Sequence, residues 1–214
     1  MVALLGAVRR ERNGAVADAM RWYGAPYGVN YGVSLPTLRV LARAEEPDYN
    51  FAKYLYLQQV RELRLAALHI APPESLILSD LPFWASGIVN SEVAGEAAFA
   101  LFSRADILPE LFAEWIGACG PLLVYAALMA ASRAVCPRVA WITPAWEAVQ
   151  RHATDRRLPA GAARLVAQGA VALLAAIGAQ NEENRQAVLL AAGSGDDSVA
   201  VDFVRGELAW RLEV

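Results

Sequence analysis

YGVSLPTLRVLAR, Tyr31 to Arg43, and FAKYLYLQQVRELRLAALHIA, Phe51 to Ala71, are the stretches on which the fold turns. In the first, Ser34 stands where a side-chain oxygen can cap a helix and Pro36 falls in the first turn, so a helix is predicted to about Ala44. Upstream of the second, Asp48 is the predicted N-cap of a helix over about 49–58. A further helix runs from Val60 to about Ile70 and stops before Pro72-Pro73, which disfavour a helical residue ahead of them. Apolar residues recur at spacings of three and four, and the short connection makes these two helices an antiparallel hairpin.

The same periodicity runs outward in both directions, cut by Gly and Pro into segments of about ten to twenty residues with no strand pattern between them. Two helices over about 2–12 and 14–23 precede a Tyr/Gly loop, Tyr23 to Gly32. Later helices are predicted over about 74–79, 82–88, 91–103, 107–118, 121–135, 144–153, 159–178, 182–192 and 197–212, with Asn90, Asp106, Thr143 and Asn181 as caps. Serial hairpins that each bury an apolar face against the next describe an all-α array of about six HEAT-like units.

Composition agrees. The chain has 214 residues, 57% hydrophobic and 19% charged, with 43 Ala and with Gly and Pro as punctuation, which excludes disorder and disfavours a β-rich fold. Net charge is -3 and the pI about 5.5, so any nucleic-acid binding must be local. Charge is uneven: residues 1–43 carry +4, 44–132 carry -7, 133–181 carry +4 and 182–214 carry -4. Of the 19 basic residues only Lys53 is lysine. Cys119 and Cys136 lie in apolar stretches and are expected to pack as small hydrophobes in a reduced, cytoplasmic protein. The N-terminal MVALLGAVRRERNG has the reverse of a signal peptide's order. Trp115–Ser132 and Leu165–Asn181 lack charge, but glycine, proline and glutamine interrupt them, so both are expected to be buried helices without a membrane role.

The two opening stretches resemble the AlkD-type DNA alkylation-repair family: a Tyr-Gly-Val turn, a Pro one turn into a helix with Leu-Arg on its face, then an aromatic-rich helix followed by one containing Arg-Glu. Weaker similarity continues through FWASGIVNSEVAGEAAFALF. The resemblance implies a right-handed α-solenoid of HEAT-like hairpins forming a single domain over 1–214. It also implies a link to glycosylases that release cationic N3- or N7-alkylated purines with a carboxylate and tryptophans in a cationic groove. The family's Asn-Trp-Asp-x-x-Asp motif falls on Asn90 to Gly95, placing Gly95 at the catalytic acid and Ser91 at the tryptophan. A second signature falls on Gln168 to Ala175, with Ala172 at its tryptophan.

These departures favour a non-catalytic relative whose surface binds a protein or peptide partner, with duplex DNA less supported. The alternative is a glycosylase with Glu92 or Glu96 as carboxylate and Arg151, Arg156, Arg157 and Arg164 as the basic patch holding phosphates. A third reading is a binder of DNA structure without catalysis. Each residue also has a plainer role: Glu92 can complement a helix dipole, and the arginines can be a solvated loop and helix end. His69 is expected to be packed and hydrogen-bonded, and His152 to cap a helix end at the surface. Trp22, Tyr23, Tyr27 and Tyr31 are expected to cover one end of the core, and Trp84, Trp141 and Trp146 to pack within it. No spacing points to a metal or a cofactor.

Overall fold

Side-chain oxygens start six of the thirteen α-helices among the described residues. In the computed structural model, which describes residues 1–159, 161–195 and 197–213, Ser34 Oγ accepts from Thr37 N–H at 3.3 Å at the head of α3 (Leu35–Arg43). Asp48 accepts from Phe51 N–H at 2.8 Å to open α4 (Tyr49–Tyr56). Asn13 and Asn90 do the same for α2 (Gly14–Trp22) and α7 (Ser91–Ala100), and Asn181 and Ser198 for α12 (Glu182–Ala192) and α13 (Val199–Arg211). Each such bond satisfies an amide that the helix cannot satisfy itself. The expected caps Asp106 and Thr143 are not used: α8 (Leu108–Ile116) starts after Ile107 and α10 (Ile142–Thr154) after Trp141, neither with a side-chain cap.

The described residues contain thirteen α-helices and one isolated backbone bridge, Val29 to Val60, but no strand. The remaining helices are α1 (Val2–Arg10), α5 (Arg61–Ile70), α6 (Leu81–Ser86), α9 (Pro121–Ala131) and α11 (Ala162–Gly178). The segment expected to be helical around 74–79 is instead two short 3-10 turns, Pro73–Ser75 and Leu78–Asp80, because prolines crowd its start. No helix is long and apolar enough to cross a membrane among the described residues.

The chain divides into two compact units, Met1–Asp106 and Ile107–Val214. In the first, α4 and α5 form the expected antiparallel hairpin: Asp48 N–H reaches Ile70 C=O at 3.3 Å, and Arg64 Nε donates to Tyr56 C=O at 3.3 Å. Nine of the ten residues of α5 are buried, including Arg61, Glu62 and Arg64, so this helix is the unit's centre. Lys53 and Tyr49 both donate to Asp80, at 3.0 and 2.7 Å, and Trp84 Nε1 donates to the Tyr49 hydroxyl. Burial raises the Tyr49 phenol's pKa, and Asp80 adds to the rise. Gly32 needs its missing side chain. Its φ is +71°, and a Cβ there would lie 2.1 Å from the Asn13 carbonyl oxygen.

In the second unit α11 is central, packed by α9, α10, α12 and α13. Alanine and glycine along α9 and α11 let the backbones approach, with Gly169 lying against Leu128 and Tyr125. Two expectations are corrected here. Cys119 and Cys136 are exposed, since both lie in the connections around α9 and not on its packed face. His152 is buried within α10, with Nδ1 against the Ala148 carbonyl at 2.8 Å, and burial lowers its pKa.

Candidate functional site

The residues with the most chemistry gather in the first unit, around the start of α7. Glu92 lies in the first turn of α7, where an acid complements the helix dipole. Its carboxylate is also held by Arg61: Nε donates to Oε2 at 2.8 Å and Nη2 donates to Oε1. The Tyr27 hydroxyl donates to Oε2 as well. Burial raises the Tyr27 phenol's pKa, and the adjacent Glu92 carboxylate raises it further.

Arg61 is itself almost wholly buried. Nη1 donates to Val33 C=O at 2.9 Å and to Glu62 Oε1 at 3.0 Å. Burial alone would lower the guanidinium's pKa, but the Glu92 and Glu62 carboxylates outweigh it and raise it. Glu62 is 0% exposed and accepts from the backbone N–H groups of Tyr31 and Val33. The cluster thus fastens the Tyr/Gly loop to α5 and α7.

Glu96, one turn further along α7, belongs to a separate cluster. Arg39 grips it with two parallel bonds, Nε to Oε1 at 2.7 Å and Nη2 to Oε2 at 2.8 Å, and His69 Nε2 lies 2.6 Å from Oε1. Burial pushes this carboxyl upward, but the hydrogen bonds and charges of Arg39 and His69 win and hold its pKa at about 2. The Arg39 guanidinium also lies over the Phe99 ring, 4.5 Å from the centroid. His69 is packed and hydrogen-bonded as expected; its acid partner is 27 residues away in sequence. Gly95 lies between Glu92 and Glu96 on α7 and supplies no acid.

The four arginines of the expected basic patch are all in the second unit, and their guanidiniums have different partners. Arg151 Nη2 donates to Ile116 C=O at 2.6 Å. Arg157 is paired with Asp155 at 2.8 Å, and its hydrogen bonds hold the Asp155 carboxyl at about 2. The Arg164 guanidinium stacks on Phe203, 3.3 Å from the ring centroid. Arg156 makes no hydrogen bond or ion pair among the described residues and is exposed.

Beside Glu92 lies an open cleft of about 530 Å³, walled by Val16 and Met20 of α2, by Tyr23, Pro26 and Tyr27 of the loop, and by Ser91 of α7. Tyr23 is 87% exposed and neighbouring Trp22 86%, so these two do not cover the core as expected. Exposed Arg9, Arg10, Arg12, Arg21 and Arg43 belong to the same unit. Sequence reading missed Arg61, Arg39 and Tyr27 as partners of the two glutamates, and no local pattern marks them. Among the described residues, no group of three or more His, Cys, Asp or Glu could hold a metal ion.

Thirteen helices among the described residues, several of them packed as consecutive hairpins within each unit, form an all-α HEAT-like repeat fold. No family model matches the chain, and no curated protein matches it at a significant level. Among solved structures it is similar to one described as a new family of proteins related to the HEAT-like repeat DNA glycosylases with affinity for branched DNA structures. The TM-score is 0.74 at 16% identity, covering 98% of this chain and 94% of that chain. The likeness shows that the two chains share a HEAT-like repeat fold.

Proposed function

We propose that this protein binds branched DNA and does not excise bases. The observation that carries the second half is the state of the two glutamates near the family's acid position. Stabilising oxocarbenium character requires a carboxylate whose lone pairs face the sugar. Here both oxygens of Glu92 are taken by Arg61, one of them also by Tyr27, and both oxygens of Glu96 are taken by Arg39. Freeing Glu92 would leave the Nε and Nη2 donors of a buried guanidinium without partners.

Binding is supported by the likeness to a fold described with affinity for branched DNA, and by the five exposed arginines within residues 1–43. Phosphate neutralisation by arginine is local and needs no net positive charge on the whole chain. The test is a mobility-shift titration of a four-way junction against linear duplex of equal length at two salt concentrations, with an excision assay on N7-methylated duplex alongside. Tighter, salt-sensitive binding to the junction and base release no faster than spontaneous are expected. Excision above that rate, lost in Glu92→Gln or Glu96→Gln, would restore the glycosylase reading.

A second reading, a protein or peptide partner, is favoured by α13. Its Val201, Val204 and Leu208 are buried, while Val199 and Trp210 on the far side are 85% and 76% exposed. A helix apolar on both sides is usually covered. A peptide whose binding is lost in Trp210→Ala, with DNA affinity unchanged, would support this reading.

A further inference from the structure

We propose that the cleft between α2, the Tyr/Gly loop and the start of α7 receives an unpaired nucleobase of branched DNA, an inference that rests on the DNA-binding reading above. Its volume, about 530 Å³, lies in the range of pockets that take small flat ligands. Val16 and Met20 form an apolar wall, and Tyr23 and Tyr27 bring two aromatic rings to the same space. A base stacked on such a ring withdraws a face from water, and any base can do so because each has a π-face.

Polar groups at the cleft are arranged for recognition. The Asn90 Oδ1 accepts from Val93 N–H at 2.9 Å, which fixes the amide's orientation, and lies 3.2 Å from the Tyr27 hydroxyl, whose proton is directed to Glu92. Its Nδ2 and the hydroxyl of Ser91 make no hydrogen bond among the described residues. They are therefore available to a carbonyl on a base edge. Glu92 also lines the cleft, with both of its oxygens bonded to Arg61, so an incoming nucleotide does not meet an unpaired carboxylate.

The surroundings select a nucleotide over an apolar peptide. Arg12 precedes α2 and Arg21 lies on it, both exposed. Arg21 is engaged only by Asp18, with both side chains about three-quarters in solvent (76% and 74%), a pairing a phosphate can displace at little cost. Ser91 is a small side chain, which leaves the cleft's α7 edge open.

The experiment compares two three-way junctions, one fully paired and one with two unpaired thymines at the branch, the second also prepared with 4-thiothymine for photocrosslinking. The unpaired junction should bind about tenfold more tightly, a preference set by stacking. Crosslinks should map to Tyr23 or Tyr27. Tyr23→Ala and Ser91→Trp, which remove a ring and fill the cleft, should abolish the preference while binding to the paired junction persists. Equal affinity for the two junctions, or crosslinks confined to other segments, would overturn the inference and leave junction binding standing. Failure to bind either junction would overturn both proposals.

Discussion

Replacing Arg61 with methionine keeps a stem of similar reach and removes every donor of a guanidinium whose side chain is 1% exposed. Glu62, with a side chain 0% exposed, then keeps only the backbone N–H groups of Tyr31 and Val33, and the Val33 carbonyl loses its side-chain donor. Breaking a buried pair from one side costs about 3–5 kcal/mol, because the remaining charge has no partner. Glu92, 22% exposed, can turn to water and adds less than about 1 kcal/mol. At roughly 2–4 °C per kcal/mol for a chain of this size, the midpoint should fall by about 6–20 °C. Urea denaturation and hydrogen exchange at Tyr31 and Val33 would read the loss and its location. Neutralising the stranded acid in Arg61→Met/Glu62→Gln should recover about half of it. A loss below about 1 kcal/mol, or a double variant no better than the single, would refute the view that this cluster fastens the loop.

Glu96, held at about 2, contributes stability that is complete above its unfolded pKa and is lost as pH falls through the folded one. After screening at Arg39, whose side chain is 31% exposed, the contribution is about 1–2 kcal/mol. Acid titration of stability should therefore be shallower between pH 4.5 and 2 in Glu96→Gln than in the wild type; superimposable curves would contradict the assignment. Gly32→Ala should destabilise by at least about 1–3 kcal/mol, measured by denaturant midpoint, because φ of +71° and the Asn13 carbonyl both oppose a Cβ.

The helices were largely legible because their signals are local. Ser34, Asp48, Asn90 and Asn181 each cap through an amide three residues on, and a spacing of three or four marks a buried face wherever it occurs. Asp106 and Thr143 misled because a helix can start without a capping side chain, as α8 and α10 do, and a capping residue type does not say which turn begins it. His152 and the two cysteines misled because burial depends on which face a neighbouring helix covers, not on the hydropathy of adjacent residues.

Sequence alone determined an all-α chain of serial hairpins, and its resemblance to the alkylation-repair family placed Gly95 where that family carries its acid. Only tertiary packing decided what the glutamates do. Glu92 meets Arg61 across 31 positions and Tyr27 across 65, and Glu96 meets Arg39 across 57 and His69 across 27. Those encounters depend on how α3, α5 and the Tyr/Gly loop lie against α7. A carboxylate's availability is set by the charges that packing brings within a few ångströms, and the periodicity of its own helix carries no record of them.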